Sequence, residues 1–521
     1  MAEGHIIAEL LERTVEKHPD LPAVRWLEKK EIPSRTYSEI NSDRLKVSHA
    51  LLERGFEGQQ IALLGTSSYE WITSYFGIVG TKMTAVPLDP MLPGPELCDL
   101  INRSDSEAVL VSPKLLGYVD LIRSECPKVR LYVLLSGDEK TDDEDMITFR
   151  QLIGSASDDP LPEDKRPAPD DVCTIIFTSG TTGKSKGVML TQRNFYDDVE
   201  NVVVSFEPGT TMLSVLPVHH AYCLVMDWMK GFSMAATIYI NDTLLHMLRN
   251  IGRVQPQILL MVPLMIETVY KRLQAEDPAK PKKEVAKEIL GENISYIFSG
   301  GAHLDPSYIY GFQEYGIQVC EGYGMSECSP TISTNGELGN KPGSVGKPLA
   351  NMQVRFVDGE IQVKGSNVMK GYYKMPKETE EAFSDGWLRT GDLGHLDEEG
   401  YLFITGRLKN LIILSNGENV SPEEIENTLL SNELVGEVVI LGENNGLSAR
   451  IYPDADVVEK EGLGAEDIRS KLQEIIDGYN KTQPSYRAIT ELIVRKYPFI
   501  KNSTKKIVRA KADIDEAPEQ A

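Results

Sequence analysis

Short apolar runs at positions 61–64, 84–88, 108–111, 131–135, 173–177, 212–216, 257–262 and 296–299 punctuate longer stretches whose apolar residues recur every three or four positions. Strand-like and helical periods in alternation predict an α/β architecture with mostly parallel sheets. The opening MAEGHIIAELLERTVEKHPD reads as an amphipathic helix bearing acidic residues. From about Gly343 the texture changes to hairpins, and QVRFVDGEIQVKG at 353–365 places Asp358-Gly359 where a tight turn is needed. The stretch 140–171, rich in Asp, Glu and Pro, reads as an exposed acidic loop, and the closing DIDEAPEQA as a frayed tail. No fixed-period repeat or long low-complexity tract interrupts this order.

With 521 residues the chain exceeds one compact core and should divide into at least two domains. A formal charge of −24 argues against a nucleic-acid partner, which clustered Lys and Arg would have to hold. An anionic ligand must then be met by local positive features. The six cysteines, at 98, 126, 173, 223, 320 and 328, form no CxxC pair, so buried thiols in a reducing compartment are expected rather than a metal cluster or a disulfide frame. The start lacks the charged stub and apolar core of a secretory signal, and the longest apolar run, 258–266, falls far short of the roughly 20 residues that span a bilayer. A cytoplasmic protein, at most peripheral to a membrane, is the expectation.

The most informative segment is TSGTTGKSKG at 178–187, directly after the strand-like 173–177. Its glycines let backbone approach an anion, its hydroxyls donate to anionic oxygens, and Lys184 and Lys186 oppose the charge. A Walker loop would need Gly at 178 and a helix after Ser185. Position 178 is Thr, and Gly187-Val188-Met189-Leu190 reads as a strand. Further along stand LPVHH (216–220), SGGA (299–302), EGYGMSE (321–327), GWLRTGDLG (386–394), GRLKNLIILSNGENVSPEEIE (406–426) and KNSTKKIVR (501–509).

In order and separation this series resembles the adenylate-forming superfamily of acyl-CoA synthetases, luciferases and adenylation domains, and its wording is most similar to long-chain fatty acid–CoA ligases. The resemblance spans nearly the whole chain. It implies a large N-terminal domain over 1–408 with mostly parallel sheets and a distorted β-barrel subdomain, a hinge at 409–410 with Lys409 as its pivot, and a small mobile α+β domain over 411–521.

It also implies residue roles. Thr178, Ser179, Gly180, Thr181, Thr182 and Gly183, with Lys186, would cradle the β and γ phosphates of ATP. Glu327 would ligate Mg²⁺, and Ser326, where the family commonly has Thr, would reach the α-phosphate. Tyr323 would stack on adenine, with Gly301, Ala302, Glu321, Gly322 and Gly324 around it, while Asp392 and Arg407 would bind the ribose hydroxyls. The family's catalytic lysine comes after a Gly that is here Lys505; aligning on Ile507-Val508-Arg509 makes Lys506 the candidate and Lys505 its rival. After adenylation the small domain would rotate, bringing 411–420 beside a pantetheine tunnel, with Gly417 letting the thin chain pass. His220 would flank the acyl entrance, although either it or His219 could serve a structural purpose.

Amino-acid adenylation domains carry an Asp soon after this position to pair with the substrate amine. Here HHAYCLVMDWM offers none until Asp227, which favours an uncharged acyl tail. The expected activity is therefore activation of a medium- to long-chain fatty acid as acyl-AMP and its transfer to coenzyme A. Two rivals stand beside it: loading of an acyl or aminoacyl group onto the phosphopantetheine of a carrier protein, and a non-catalytic nucleotide-binding protein, the latter motivated by the altered lysine motif.

Overall fold

The computed structural model describes residues 4–28, 31–138, 140–178, 184–414, 418–443, 446–501 and 507–516. Contacts divide the chain into a larger unit (Met1–His303, Tyr308–Val354, Val363–Leu388) and a smaller one (Leu304–Ser307, Arg355–Gln362, Arg389–Ala521).

Two large sheets build the larger unit. In the eight-stranded sheet, Thr84–Leu88, Gln60–Leu64, Ser106–Val111 and Leu131–Leu134 run parallel, and every side chain of Thr84–Leu88 is buried. Strands covered on both faces read as continuous apolar runs, which is why they stood out in the sequence. Val172–Thr178 joins the same sheet and turns back antiparallel as Lys186–Thr191, to whose far edge the two-residue strand Gly371–Tyr372 adds. The nine-stranded sheet has a parallel centre of Thr237–Ile240, Thr211–Ser214, Ile258–Met261, Tyr296–Ser299 and Gln318–Gly324.

Helix starts obey local hydrogen-bond chemistry. Thr36 and Thr191 each accept from the backbone three residues on and are answered by Glu39 and Asn194, so two orphan donors are satisfied at each start. The amphipathic opening is the helix Ile7–Lys17, which buries Ile7, Leu10, Leu11 and Thr14.

The hairpin texture after Gly343 is real: Met352–Val357 and Glu360–Gly365 flank Asp358 and Gly359, with φ of 51° and 81° as a type I′ turn requires. These strands belong to a five-stranded sheet. In the smaller unit, Leu402–Arg407 pairs antiparallel with the end of Trp387–Leu396. Beyond it lies a three-stranded sheet of Val435–Glu443, Gly446–Pro453 and Ile489–Val494. Helices Pro422–Leu430 and Ala465–Thr482 share its core through Ile425, Leu429, Ile440, Ile451, Leu472 and Ile476.

Two expectations need correction. The acidic stretch is not all exposed loop, because Ile147–Thr148 forms an edge strand and Phe149–Ile153 a helix, burying Met146, Phe149 and Leu152. Nor is the start of the tail frayed: Arg495 donates to the carbonyls of Ala512 and Ile514, and Asp515 accepts from the backbone of Lys496 and Tyr497.

Candidate active site

Thr178 ends its strand directly opposite Lys186, so the register of two neighbouring strands holds both ends of the glycine-rich loop. The chain leaves Ser185 as the strand Lys186–Thr191, in agreement with the sequence, so the loop does not open a helix of the Walker kind. Ser179, Gly180, Thr181, Thr182 and Gly183 lie outside the described residues. The loop's exit is pinned by Arg103, which donates to the Ser185 carbonyl at 2.6 Å and lies 5.5 Å from the Phe177 ring centroid.

Beside Lys186 the structure brings together residues from separate motifs. The Lys186 ammonium sits 4.7 Å from the centroid of the Tyr372 ring, and the Tyr372 hydroxyl donates to Glu327 Oε1 at 2.9 Å. Burial, then the charge of Glu327, push the Tyr372 phenol well above its usual range, so it stays a donor. Glu327 is itself buried in a short turn, and its carbonyl accepts from Met369 N–H at 2.8 Å. Around this corner a buried polar net ties three segments: Asp198 accepts from Thr331 N–H and from Asn367, and Asn367 also donates to the Thr331 carbonyl. Mg²⁺ takes one or two carboxylates together with phosphate oxygens. A buried Glu327 beside the phosphate-loop lysine suits that ion.

On the proposed nucleoside side, Glu321, Gly322, Tyr323 and Gly324 form the end of one strand, with Glu321 buried and Tyr323 half-buried. Gly324 is required by packing, since a Cβ there would lie 1.8 Å from the Pro330 carbonyl oxygen. Ser326 opens the turn that carries Glu327. Gly301, at φ 85°, and Ala302 are exposed beyond the strand Tyr296–Ser299. Within the smaller unit Asp392 faces Arg407 across the ladder and their side chains pair at 2.9 Å, the carboxylate buried and the guanidinium half-exposed. Lys409 stands in the next turn, its ammonium held below its usual range by partial burial and then by Arg407.

The two histidines divide. His219 is buried, 3.6 Å from Asp89, and packs on His220 with ring centroids 4.2 Å apart. Burial, then His220, push its pKa down to about 3, so His219 is a neutral ring. Asp227 is fully enclosed and accepts from Ser214 Oγ at 2.8 Å; burial pushes its pKa up to about 7. It is no ready counter-ion for a substrate amine. Tyr222, half-buried, donates to the Phe298 carbonyl, and its ring occupies the space a side chain at position 300 would need.

In the smaller unit Lys501 pairs antiparallel with Ile507, and Val508 N–H donates to the Ile500 carbonyl. Arg509 closes it, donating to Glu426 at 2.6 Å and to the Ile440 carbonyl at 2.9 Å. Lys505, Lys506 and Gly417 lie outside the described residues.

Sequence reasoning missed Tyr372, Arg103 and Asp89. Asp89 and Arg103 carry no spacing signal. Tyr372 had one faint signal, its place in GYYKMP just before a helix-starting Pro376.

The strand-end glycine-rich segment, buried carboxylate and α+β appendage accord with an adenylate-forming fold. The AMP-binding enzyme family matches residues 11–373, and the AMP-binding enzyme C-terminal domain matches 409–515. The chain belongs to the AMP-binding enzyme family. It is 29% identical over 497 residues to long chain acyl-CoA synthetase 7, peroxisomal, of Arabidopsis thaliana, covering 83% of this chain and 70% of that one. With the long-chain-fatty-acid–CoA ligase of Bacillus subtilis strain 168 it shares 28% identity, covering 88% and 86%. In fold it resembles the anthranilate CoA ligase AuaEII in complex with anthranoyl-AMP, at TM-score 0.84 and 20% identity over 98% of this chain and 97% of that one. No helix among the described residues is long and apolar enough to cross a membrane.

Proposed function

We propose that this chain activates a medium- to long-chain fatty acid with Mg·ATP as acyl-AMP, releasing pyrophosphate, and then passes the acyl group to the thiol of coenzyme A. The observation that carries the reading is the convergence of Lys186, Tyr372 and Glu327 at the end of the phosphate-loop strands. Charge accumulates on phosphate oxygens in the first step, and fixed donors and cations are worth most where water is excluded. Thr178 and Lys186 would meet the β and γ phosphates, and Glu327 would hold Mg²⁺, which supplies charge neutralisation when bound. Tyr323 would receive adenine, Asp392 and Arg407 the ribose. Lys506 would bridge the carboxylate and α-phosphate oxygens.

The acid's tail is inferred to be uncharged. No acidic side chain comes after His220 before Asp227, and Asp227 is enclosed among Ser214 and Cys223. The relatives named for long-chain acids support the same choice. For the second step we place the hinge at Lys409, with 1–408 on one side and 411–521 on the other; rotation there would exchange Lys506 for the segment around Gly417.

ATP–pyrophosphate exchange across a panel of acids tests the first step. Exchange peaking with medium- to long-chain fatty acids is expected, whereas no exchange with any acid would leave a nucleotide-binding protein without catalysis. Supplying coenzyme A or a purified phosphopantetheinylated carrier then tests the acceptor: thioester formed only on the carrier would overturn the choice of coenzyme A.

A further inference from the structure

Tyr372 belongs to none of the motifs that signalled the site, yet it touches two of them. Its hydroxyl donates to one oxygen of Glu327 at 2.9 Å, and its ring face lies 4.7 Å from the Lys186 ammonium. We propose that Tyr372 is a positioning residue for the first half-reaction, its hydroxyl orienting the Glu327 carboxylate toward the metal and its ring holding the Lys186 ammonium toward the phosphates. This rests on the roles proposed above for Glu327 and Lys186.

The geometry separates this role from mere fold support. The segment carrying Tyr372 is already fixed without the phenol: Asn194 donates to the Ser366 and Val368 carbonyls, Met369 N–H to the Glu327 carbonyl, and Tyr372 N–H to Thr379 Oγ1. Backbone pairing of Tyr372 with Val188 adds a further tie. The hydroxyl's bond to Glu327 therefore acts on a side chain. A carboxylate held at one oxygen presents the other in a defined direction, and the partners that hold a ligand in this way typically govern metal affinity by about 10–100-fold. The ring acts separately, since an ammonium over an aromatic face is attracted whether or not the ring bears a hydroxyl.

Two substitutions split these contributions. Tyr372→Phe keeps the ring and removes the hydroxyl; Tyr372→Leu removes both. For Tyr372→Phe we expect the Mg²⁺ concentration giving half-maximal pyrophosphate exchange to rise about tenfold, with most of the rate recovered at saturating Mg²⁺. Calorimetric binding of a non-hydrolysable ATP analogue should weaken in Mg²⁺ and stay unchanged in EDTA. Tyr372→Leu should in addition weaken analogue binding in EDTA, through Lys186. Glu327→Gln is run alongside, alone and combined with Tyr372→Phe, and the hydroxyl's loss should add nothing in that background. An unchanged Mg²⁺ dependence in Tyr372→Phe, with Glu327→Gln altered, overturns the positioning role and leaves the metal reading intact. Unchanged dependence in Glu327→Gln overturns both. Equal weakening of the Tyr372→Phe variant in Mg²⁺ and EDTA reduces Tyr372 to packing.

Discussion

The Glu327 corner of the larger unit and the lysine segment of the smaller unit carry the charges we propose for one reaction, but they are held in different ways. At the corner, Glu327 is buried, its carboxylate takes the Tyr372 hydroxyl, and its backbone takes the Met369 amide. Strand register sets Thr178 opposite Lys186, and Asp198, Asn367 and Thr331 lock the neighbouring segments. In the smaller unit, support for the lysine segment comes from the pairing of Lys501 with Ile507 and from Arg509 on Glu426 and Ile440. Groups that bind a ground-state triphosphate gain from permanent placement. A group needed in one half-reaction gains from being carried on a small unit that can withdraw it. The difference in support thus matches the difference in proposed duty.

The sharpest way to break this contrast is Lys506→Ala. Acyl-adenylate formation should fall by about 10²–10³, the cost of one preorganised transition-state donor, while thioester formation from supplied acyl-adenylate persists. Single-turnover assays of each half-reaction decide it. Lys505→Ala is the companion: if it is the damaging change and Lys506→Ala is silent, the register of KNSTKKIVR is one residue out. Equal damage to both half-reactions would remove the division of duty.

Burial in the larger unit should also show as pH dependence of stability. Asp227 has a folded pKa of about 7, raised by burial above its ordinary 3.8. Between those values the native state keeps a proton the unfolded chain has released, so stability falls as pH rises through this window. His219, pushed down to about 3 from 6.5, works the other way, its contribution growing as pH rises toward 6.5. Asp227→Asn removes the first slope only. Its stability advantage over the parent should therefore grow by about 2 kcal/mol from pH 5 to pH 8, read from urea midpoints. An advantage equal at both pH values would mean that Asp227 does not change protonation in this range.

The same contrast explains what was legible beforehand. Parallel strands covered on both faces leave continuous apolar runs, so Thr84–Leu88 could be delimited to the residue; Tyr296–Ser299, buried on one face and half-buried on the other, was delimited as well by its apolar run. Asp358-Gly359 declared its turn because few residue pairs accept two positive φ values. The helix Phe149–Ile153 was hidden by the acidic charge around it, although Thr148 and Gln151 form a capping box that could have marked its start. Motif residues such as Lys186, Glu327, Asp392 and Arg407 were readable as members of an ordered series. Tyr372 was not: its strand is two residues long, and its partners become neighbours only once Gly371–Tyr372 joins the edge of Lys186–Thr191.

A smaller effect is expected at the Asp392–Arg407 pair, which sits on a strand ladder but within the smaller unit. Asp392→Ala removes the charged acceptor proposed for the ribose, a loss of about 1.5–3 kcal/mol for such a bond, and should raise the apparent KM for ATP by about tenfold or more. The preference among acids should be unchanged. A shift confined to the acid's apparent affinity would move Asp392 out of the nucleotide site.

The smallest effect tests the support of the lysine segment itself. Arg509 reaches Glu426 and the Ile440 carbonyl together, and Glu426 in turn accepts from Ile440 N–H at 2.6 Å. Burial raises the Glu426 carboxyl, while the hydrogen bond and charge of Arg509 work against that rise. Arg509→Lys keeps the charge but loses the planar fork that spans both acceptors. The lysine segment would then keep its pairing at Lys501 and Ile507 while its far end loosens. We expect acyl-adenylate formation to slow several-fold and thioester formation to be unaffected, with a loss of stability of about 1 kcal/mol. Arg509→Met should cost more stability, because it leaves Glu426 buried without a counter-charge. If Arg509→Lys slows both half-reactions equally, the clamp serves the smaller unit's fold as a whole, and the lysine's placement must come from elsewhere.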